Sequence, residues 1–293
     1  MSEYSIWVLE YAYVPNFPVS GIIYGAHNQG HRKLPYGYVL IKGKGRVAMV
    51  DVGFNNKDMG ATFASTYGVQ NWHSPREILA QCDVTPEQVT DIFITHAHFD
   101  HIGGTGEFPN ARYYIQEQEL SKWIWALSLG SKYNALTVAI DPADIIRMVN
   151  SAKGGRLVIV DGDREDVLPG IDVHAALDSH TWGCMFVRVR NDGKKADSAD
   201  SYVFAGDLVY CQENLRGFDG GDGAPIPVGL ATGSHYNLIA TTNRMLSLVG
   251  DDTRRVIPVH EDRLKDMYPS RLNKDGLNVI EIALAKGERS RVN

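Results

Sequence analysis

The stretch DIFITHAHFDHIGG, residues 91–104, constrains the fold more than any other part of the chain. Within six positions it places His96, His98, Asp100 and His101, directly after a short apolar run that reads as a strand. In an extended segment alternate residues share a side, so His96 and His98 face the same way. Asp100 and His101 fall where the chain turns into Gly103-Gly104, a pair that permits tight backbone geometry. Imidazoles and a carboxylate gathered at a strand exit are the donor set of a metal ion. One ion takes three or four protein ligands, and a catalytic one keeps a position open for water. A chain that carries this stretch therefore needs further His, Asp or Glu at other strand ends.

Three residues answer that need. His180, in ALDSHTWGCMF, sits in a polar break between two strand-like runs. Asp207, in YVFAGDLVY, and His260, in VIPVHED, each end an apolar run. His174 and His235 stand alone and read as ordinary polar residues. Cys184 and Cys211 read as packing residues, because the ligand set is complete without a thiolate.

The rest of the chain supplies the frame. YVLIKGKGRVAMVDVGF (38–54) is two β-rich runs joined by a turn, a hairpin. SPREILAQC (74–82) opens with Ser74, Pro75 and Glu77, the pattern of a capping box and a helix start. Strands are expected at the amino terminus and over 111–116, 156–163, 170–177, 184–192, 202–207 and 255–262, with helices over 117–129 and 241–250. Strands with helices set between them suggest sheets covered by helices. No repeat or long linker divides the chain, so residues 1–293 are expected to form a single domain.

Composition excludes several classes of function. A net charge of −6 without clustered Lys or Arg argues against nucleic acid. No stretch approaches the ~20 apolar residues of a spanning helix, so no membrane role is expected. The amino terminus lacks a basic region and a small-residue cleavage site. Three cysteines with no CxxC fit a reducing compartment, which makes the cytoplasm the expected location.

Thr95 to His101 resembles the HxHxDH signature of the metallo-β-lactamase superfamily, and the order His180, Asp207, His260 matches the later ligand motifs of that family. The resemblance runs from the strands near residue 38 to His260. It implies an α/β fold, the αββα four-layer sandwich, with a dinuclear metal site at one edge. It gives one metal His96, His98 and His180 and the other Asp100, His101 and His260, with Asp207 bridging. Two divalent ions are implied; zinc is expected, and iron, manganese or cobalt suit the same ligands.

Such a site implies a hydrolase that opens a lactone or similar cyclic ester by attack of a metal-bridging hydroxide. Asp100 is the candidate for moving a proton. Tyr210, three residues after Asp207, resembles the Tyr that faces the substrate carbonyl in the N-acyl homoserine lactonase and pyridoxolactonase-like branch, and is the candidate for holding the oxyanion. The bridging Asp207 sets the chain apart from true β-lactamases. Asp100 in place of Glu sets it apart from flavodiiron proteins. Only 33 residues follow His260, too few for the glutathione-gripping domain of glyoxalase II-like thioesterases. A cyclic amide, thioester or phosphotriester remains an alternative substrate for the same site. An iron redox protein on the same ligands, or a scaffold with a vestigial site, would be functions of another class. Where the family usually has His-Thr-Pro-Gly, this chain has His180-Thr181-Trp182-Gly183, and Trp182 could wall the pocket or equally serve packing. The aromatic loop 13–37 could line a site for an aromatic or bulky small molecule, and 216–229 reads as a lid.

Overall fold

The computed structural model describes residues 2–292. Its strands in chain order are β1 (Tyr4–Pro18), β2 (His31–Gly43), β3 (Arg46–Val50), β4 (Asp91–Phe93), β5 (Arg112–Gln116) and β6 (Leu157–Val160). There follow β7 (Arg164–Leu168), β8 (Ile171–Leu177), β9 (Gly183–Arg190), β10 (Ser201–Phe204), β11 (Val256–Ile257), β12 (Ser270–Leu272) and β13 (Asn278–Ala283). Eight of them form one sheet in the order β12-β13-β1-β2-β3-β4-β5-β6, and five form a second in the order β11-β10-β9-β8-β7.

Strand alternation explains why both sheets are buried on both faces. Ile6 and Val8 of β1, Val39 and Ile41 of β2, and Met185, Val187 and Val189 of β9 pack between the sheets. Their neighbours Trp7, Leu9, Tyr38, Leu40, Cys184 and Phe186 point the other way, into apolar layers shared with helices. Helices Pro75–Leu79 and Pro142–Lys153 pack on the larger sheet, and His235–Ser247 packs on the smaller. The result is the αββα sandwich of the metallo-β-lactamase fold, with mixed sheets inside and helices outside.

Local signals hold where the chemistry is local. Ser74 caps its helix with the full reciprocal box: its side chain accepts from the Glu77 N–H and its own N–H donates to the Glu77 carboxylate. The hairpin of β2 and β3 turns at Lys44 and Gly45, both left-handed. The segment 13–37 differs from the expected loop. β1 and β2 stay paired out to Pro18 and His31, with the register shifting between Val14 and Phe17, so Pro15 falls at a bulge where its missing N–H costs no ladder bond. The helix expected over 241–250 begins earlier, at His235, because the Ser234 side chain accepts from the N–H groups of Tyr236 and Asn237. Among the described residues no helix is long and apolar enough to cross a membrane.

Candidate metal centre

Every candidate ligand follows the carboxy end of a strand, and these ends meet at one edge of the sandwich. His96 and His98 follow β4, and Asp100 and His101 lie in the single turn Phe99–Ile102 that comes next. His180 lies between β8 and β9, Asp207 follows β10 in the turn Gly206–Leu208, and His260 follows β11. Gly206 is left-handed with φ of 53°, and a Cβ there would come within 2.6 Å of Thr95 Oγ1, so glycine is needed to seat Asp207 beside the histidine strand.

The side chains gather in two groups. In the first, His98 Nδ1 lies 3.1 Å from both His96 Nε2 and His180 Nε2, and Asp207 Oδ2 stands 3.7 Å and 3.4 Å from the latter two. In the second, Asp207 Oδ1 lies 2.9 Å from His101 Nε2 and 3.1 Å from His260 Nε2, with Asp100 Oδ2 3.6 Å and 3.7 Å from the same nitrogens. Asp207 thus turns one oxygen to each group.

This donor set fits a pair of cations. Ligand nitrogens about 2.0–2.1 Å from a tetrahedral ion are themselves about 3.3 Å apart, close to the spacing of the three-histidine group. In the second group, His101 Nε2, His260 Nε2 and Asp207 Oδ1 are buried yet satisfied by no hydrogen bond, because their close approach is out of line for one. Buried polar atoms without partners are costly, and three converging on one point mark a place built for a cation.

Outer contacts fix which ring nitrogen faces inward. His101 Nδ1 lies 2.8 Å from Asp51 Oδ2, His180 Nδ1 2.8 Å from the Leu230 carbonyl, and His260 Nδ1 2.7 Å from the Pro35 carbonyl. Each donates from Nδ1 and so leaves Nε2 as a lone pair. His96 does the same toward Thr95 Oγ1, whereas His98 presents Nδ1. Asp51 also accepts from the N–H and hydroxyl of Thr95, both at 2.8 Å, and holds a left-handed φ of 59° to do so. Sequence reasoning passed over Asp51, although an apolar strand ending in Asp-x-Gly was a usable signal. It also passed over Glu119, for which no local signal exists.

Electrostatics separate the groups. Burial pulls His96, His98 and His180 below the usual imidazole range, which keeps them neutral and able to coordinate. Burial pulls on His101 and His260 as well, but the Asp207 and Asp100 carboxylates outweigh it and both are raised. Burial lifts Asp100 above the usual carboxylate range, and Asp207 adds to the lift.

A cavity opens over the two groups. Phe17, Leu34, Tyr36, Tyr67, Val138 and Leu230 are among its walls, and among the described residues its only charged or titratable members besides phenols are Asp100, Asp207 and the histidines His98, His180 and His260. Tyr210 lines it too, its ring stacked on His260 at 5.1 Å and its hydroxyl donating to Asp207 Oδ2. Segment 13–37 thus reaches the cavity through Phe17, Leu34 and Tyr36. Trp182 does not line it; the ring packs edge-on against Trp125 and Trp123 instead. From the expected lid, the residues that reach the cavity are the ones just past it, Leu230, Ala231 and Thr232.

The model of the Metallo-beta-lactamase superfamily matches residues 36–185. Among solved structures, AiiA from B. thuringiensis with N-decanoyl-L-homoserine bound at its active site is similar with a TM-score of 0.65 and 16% identity, covering 91% of this chain and 96% of that one. AidC, a dizinc quorum-quenching lactonase in complex with a product, gives 0.62 and 18%, covering 98% and 97%. The hydrolase AbOPH gives 0.64 and 18%, also covering 98% and 97%. At such identities the likeness establishes the fold. No curated protein sequence matches.

Proposed function

The chain belongs to the metallo-beta-lactamase superfamily and is a metal-dependent hydrolase, and from that premise we propose that it opens a neutral lactone or similar cyclic ester carrying apolar substituents. The observation that carries this reading is the cavity itself: an aromatic and aliphatic wall with no cationic side chain among the described residues, set over the His and Asp donors, of which His98, Asp100, His180, Asp207 and His260 line it directly. Such a wall offers nothing to pair with a carboxylate, a phosphate monoester or glutathione. The N-acyl-L-homoserines bound to AiiA and to the lactonase AidC, the latter as a product, support the same class.

We assign His96, His98 and His180 to one ion, Asp100, His101 and His260 to the other, and Asp207 to both, since its two oxygens face the two groups. When bound, a pair of divalent ions, zinc being the expected one, would lower the pKa of water and polarise the ester carbonyl. The chain's own groups supply the rest. The Tyr210 hydroxyl, at the cavity wall, can leave Asp207 and donate to the carbonyl oxygen as charge gathers on it. Asp100, whose Oδ2 faces His101 and His260, can accept on Oδ1 the proton that the attacking water gives up and pass it to the ring oxygen as the C–O bond breaks, giving a hydroxy acid. The apolar walls exclude water from the remainder of the cavity. We read residues 1–293 as one hydrolase domain, a reading supported by β1 and β13, from opposite ends of the chain, pairing in the same sheet.

Acid release across aliphatic and aromatic-fused lactones, with matched lactams, thioesters and phosphotriesters, tests the assignment. Fast, chelator-sensitive turnover of neutral lactones is the expected result. Turnover confined to another group of the panel would keep the hydrolase and discard the lactone.

A further inference from the structure

Glu119 places an acidic side chain where the fold is closed to water. It lies in the first turn of the helix Glu117–Leu127 and is 0% exposed. Yet neither oxygen lacks partners. One accepts from the Ala97 N–H and the Trp123 indole N–H, both at 2.7 Å. The other accepts from the Thr181 hydroxyl at 2.8 Å and the Gly183 N–H at 2.7 Å.

The identity of those donors is what matters. Ala97 sits between His96 and His98, Thr181 directly follows His180, and Gly183 closes the same turn. The helix approaches that turn so closely that a Cβ on Gly183 would lie 2.1 Å from the Glu119 nitrogen. One carboxylate therefore joins two segments more than eighty residues apart in sequence, and they are the two that carry the three-histidine group. The other group is held differently, His101 by Asp51 and His260 by the Pro35 carbonyl. No bond from Glu119 reaches either.

We infer that Glu119 is the positioning residue of the three-histidine half of the centre, setting the spacing of His96 and His98 against His180 without touching the metal or the substrate. The inference rests on the dinuclear reading above. Replacing the carboxylate by an amide turns an NH2 toward two existing donors, so one segment is released and the three nitrogens no longer converge. Outer partners of metal ligands typically change affinity about 10- to 100-fold when mutated.

The test uses the full chain, stripped with chelator and reloaded with zinc or cobalt(II). Metal per chain, the cobalt absorption spectrum and the melting of the metal-free form are measured for wild type, Glu119→Gln and Thr181→Val. Glu119→Gln is expected to hold one ion as wild type does and the other about 10- to 100-fold more weakly, with a changed cobalt spectrum. Thr181→Val removes one donor of four and is expected to weaken the same ion by less, with metal-free melting nearly unchanged; it decides the matter should Glu119→Gln fail to fold. Two ions at wild-type affinity with an unchanged spectrum in both variants would overturn the role. So would equal loss of both ions in step with a lowered metal-free melting point, since that is general structural damage. A wild-type chain that holds two ions but opens no lactone discards the substrate and leaves Glu119 standing, whereas one that never holds two ions discards both.

Discussion

The floor and the walls of the cavity are built by opposite means. On the floor, four of the five imidazoles, all but His98, are turned by an outer hydrogen bond from Nδ1, and buried carboxylates such as Asp51 and Glu119 accept from backbone as well as side chains. The wall side chains are set by packing. Phe17 on β1, Leu34 on β2, Tyr67 between β3 and β4, Val138 after β5 and Leu230 after β10 line the cavity with no polar anchor to one another. A floor of this kind specifies one geometry and tolerates no replacement, while a wall of this kind accepts many shapes. Chemistry and selectivity are thus written in different parts of the chain.

The contrast is broken or sharpened by substitution, beginning with the floor. Asp207→Ala removes the group that faces both clusters and is expected to lower kcat/KM on the order of 10³-fold or more, with less metal retained; steady-state kinetics with metal analysis checks it. Tyr210→Phe stands at the join of floor and wall. It should lower kcat on the order of 10- to 100-fold with little change in KM, and unchanged turnover of the best substrate would remove Tyr210 from the reaction. On the wall, Val138→Ala should raise KM by no more than about 10-fold, below the roughly 1–3 kcal/mol that such groups carry in a closed apolar pocket because Val138 is 52% exposed, and kcat should hold. If Val138→Ala reduced kcat as Tyr210→Phe does, the division between floor and wall would be wrong.

The smallest effect concerns an ionic brace beside the wall. Glu213, two residues into the helix Gln212–Arg216, pairs with Arg32 near the start of β2 at 3.2 Å and with Arg263 at 2.5 Å. Burial works against its charged form, but the two guanidinium groups hold its carboxyl down at about 2, below the usual 4.5. A depressed folded-state pKa adds stability above pH 4.5 that is lost as the pH falls toward about 2. With Arg263 well exposed, solvent screening leaves about 1 kcal/mol. Glu213→Gln should therefore cost about 1 kcal/mol at pH 7 and nothing near pH 2, read from denaturant melts at both values.

How much of this was legible in the sequence follows the same division. The seven donors were legible because each interrupts or ends an apolar strand with a side chain that strand cores reject. His96, His98, Asp100 and His101 even fall within six consecutive positions, so their proximity needed no tertiary knowledge. Glu119 was not legible, since its partners lie 22, 62 and 64 residues away and only the fold brings them to it. Trp182 was left between cavity wall and packing for a related reason: its place after His180 suits either, and only the fold shows Trp123 and Trp125 of the neighbouring helix drawing the ring away. The prolines of 13–37 suggested a loop because a bulge that absorbs Pro15 is set by the partner strand, not by the segment itself.

The most direct test of the central claim is to titrate zinc into chelator-stripped protein while recording acid release from a neutral lactone with an apolar substituent. Turnover should stay low through the first equivalent, rise with the second and level off at two ions per chain. Full turnover without metal, or a plateau at one ion, would contradict a centre in which Asp207 joins two cations over one cavity.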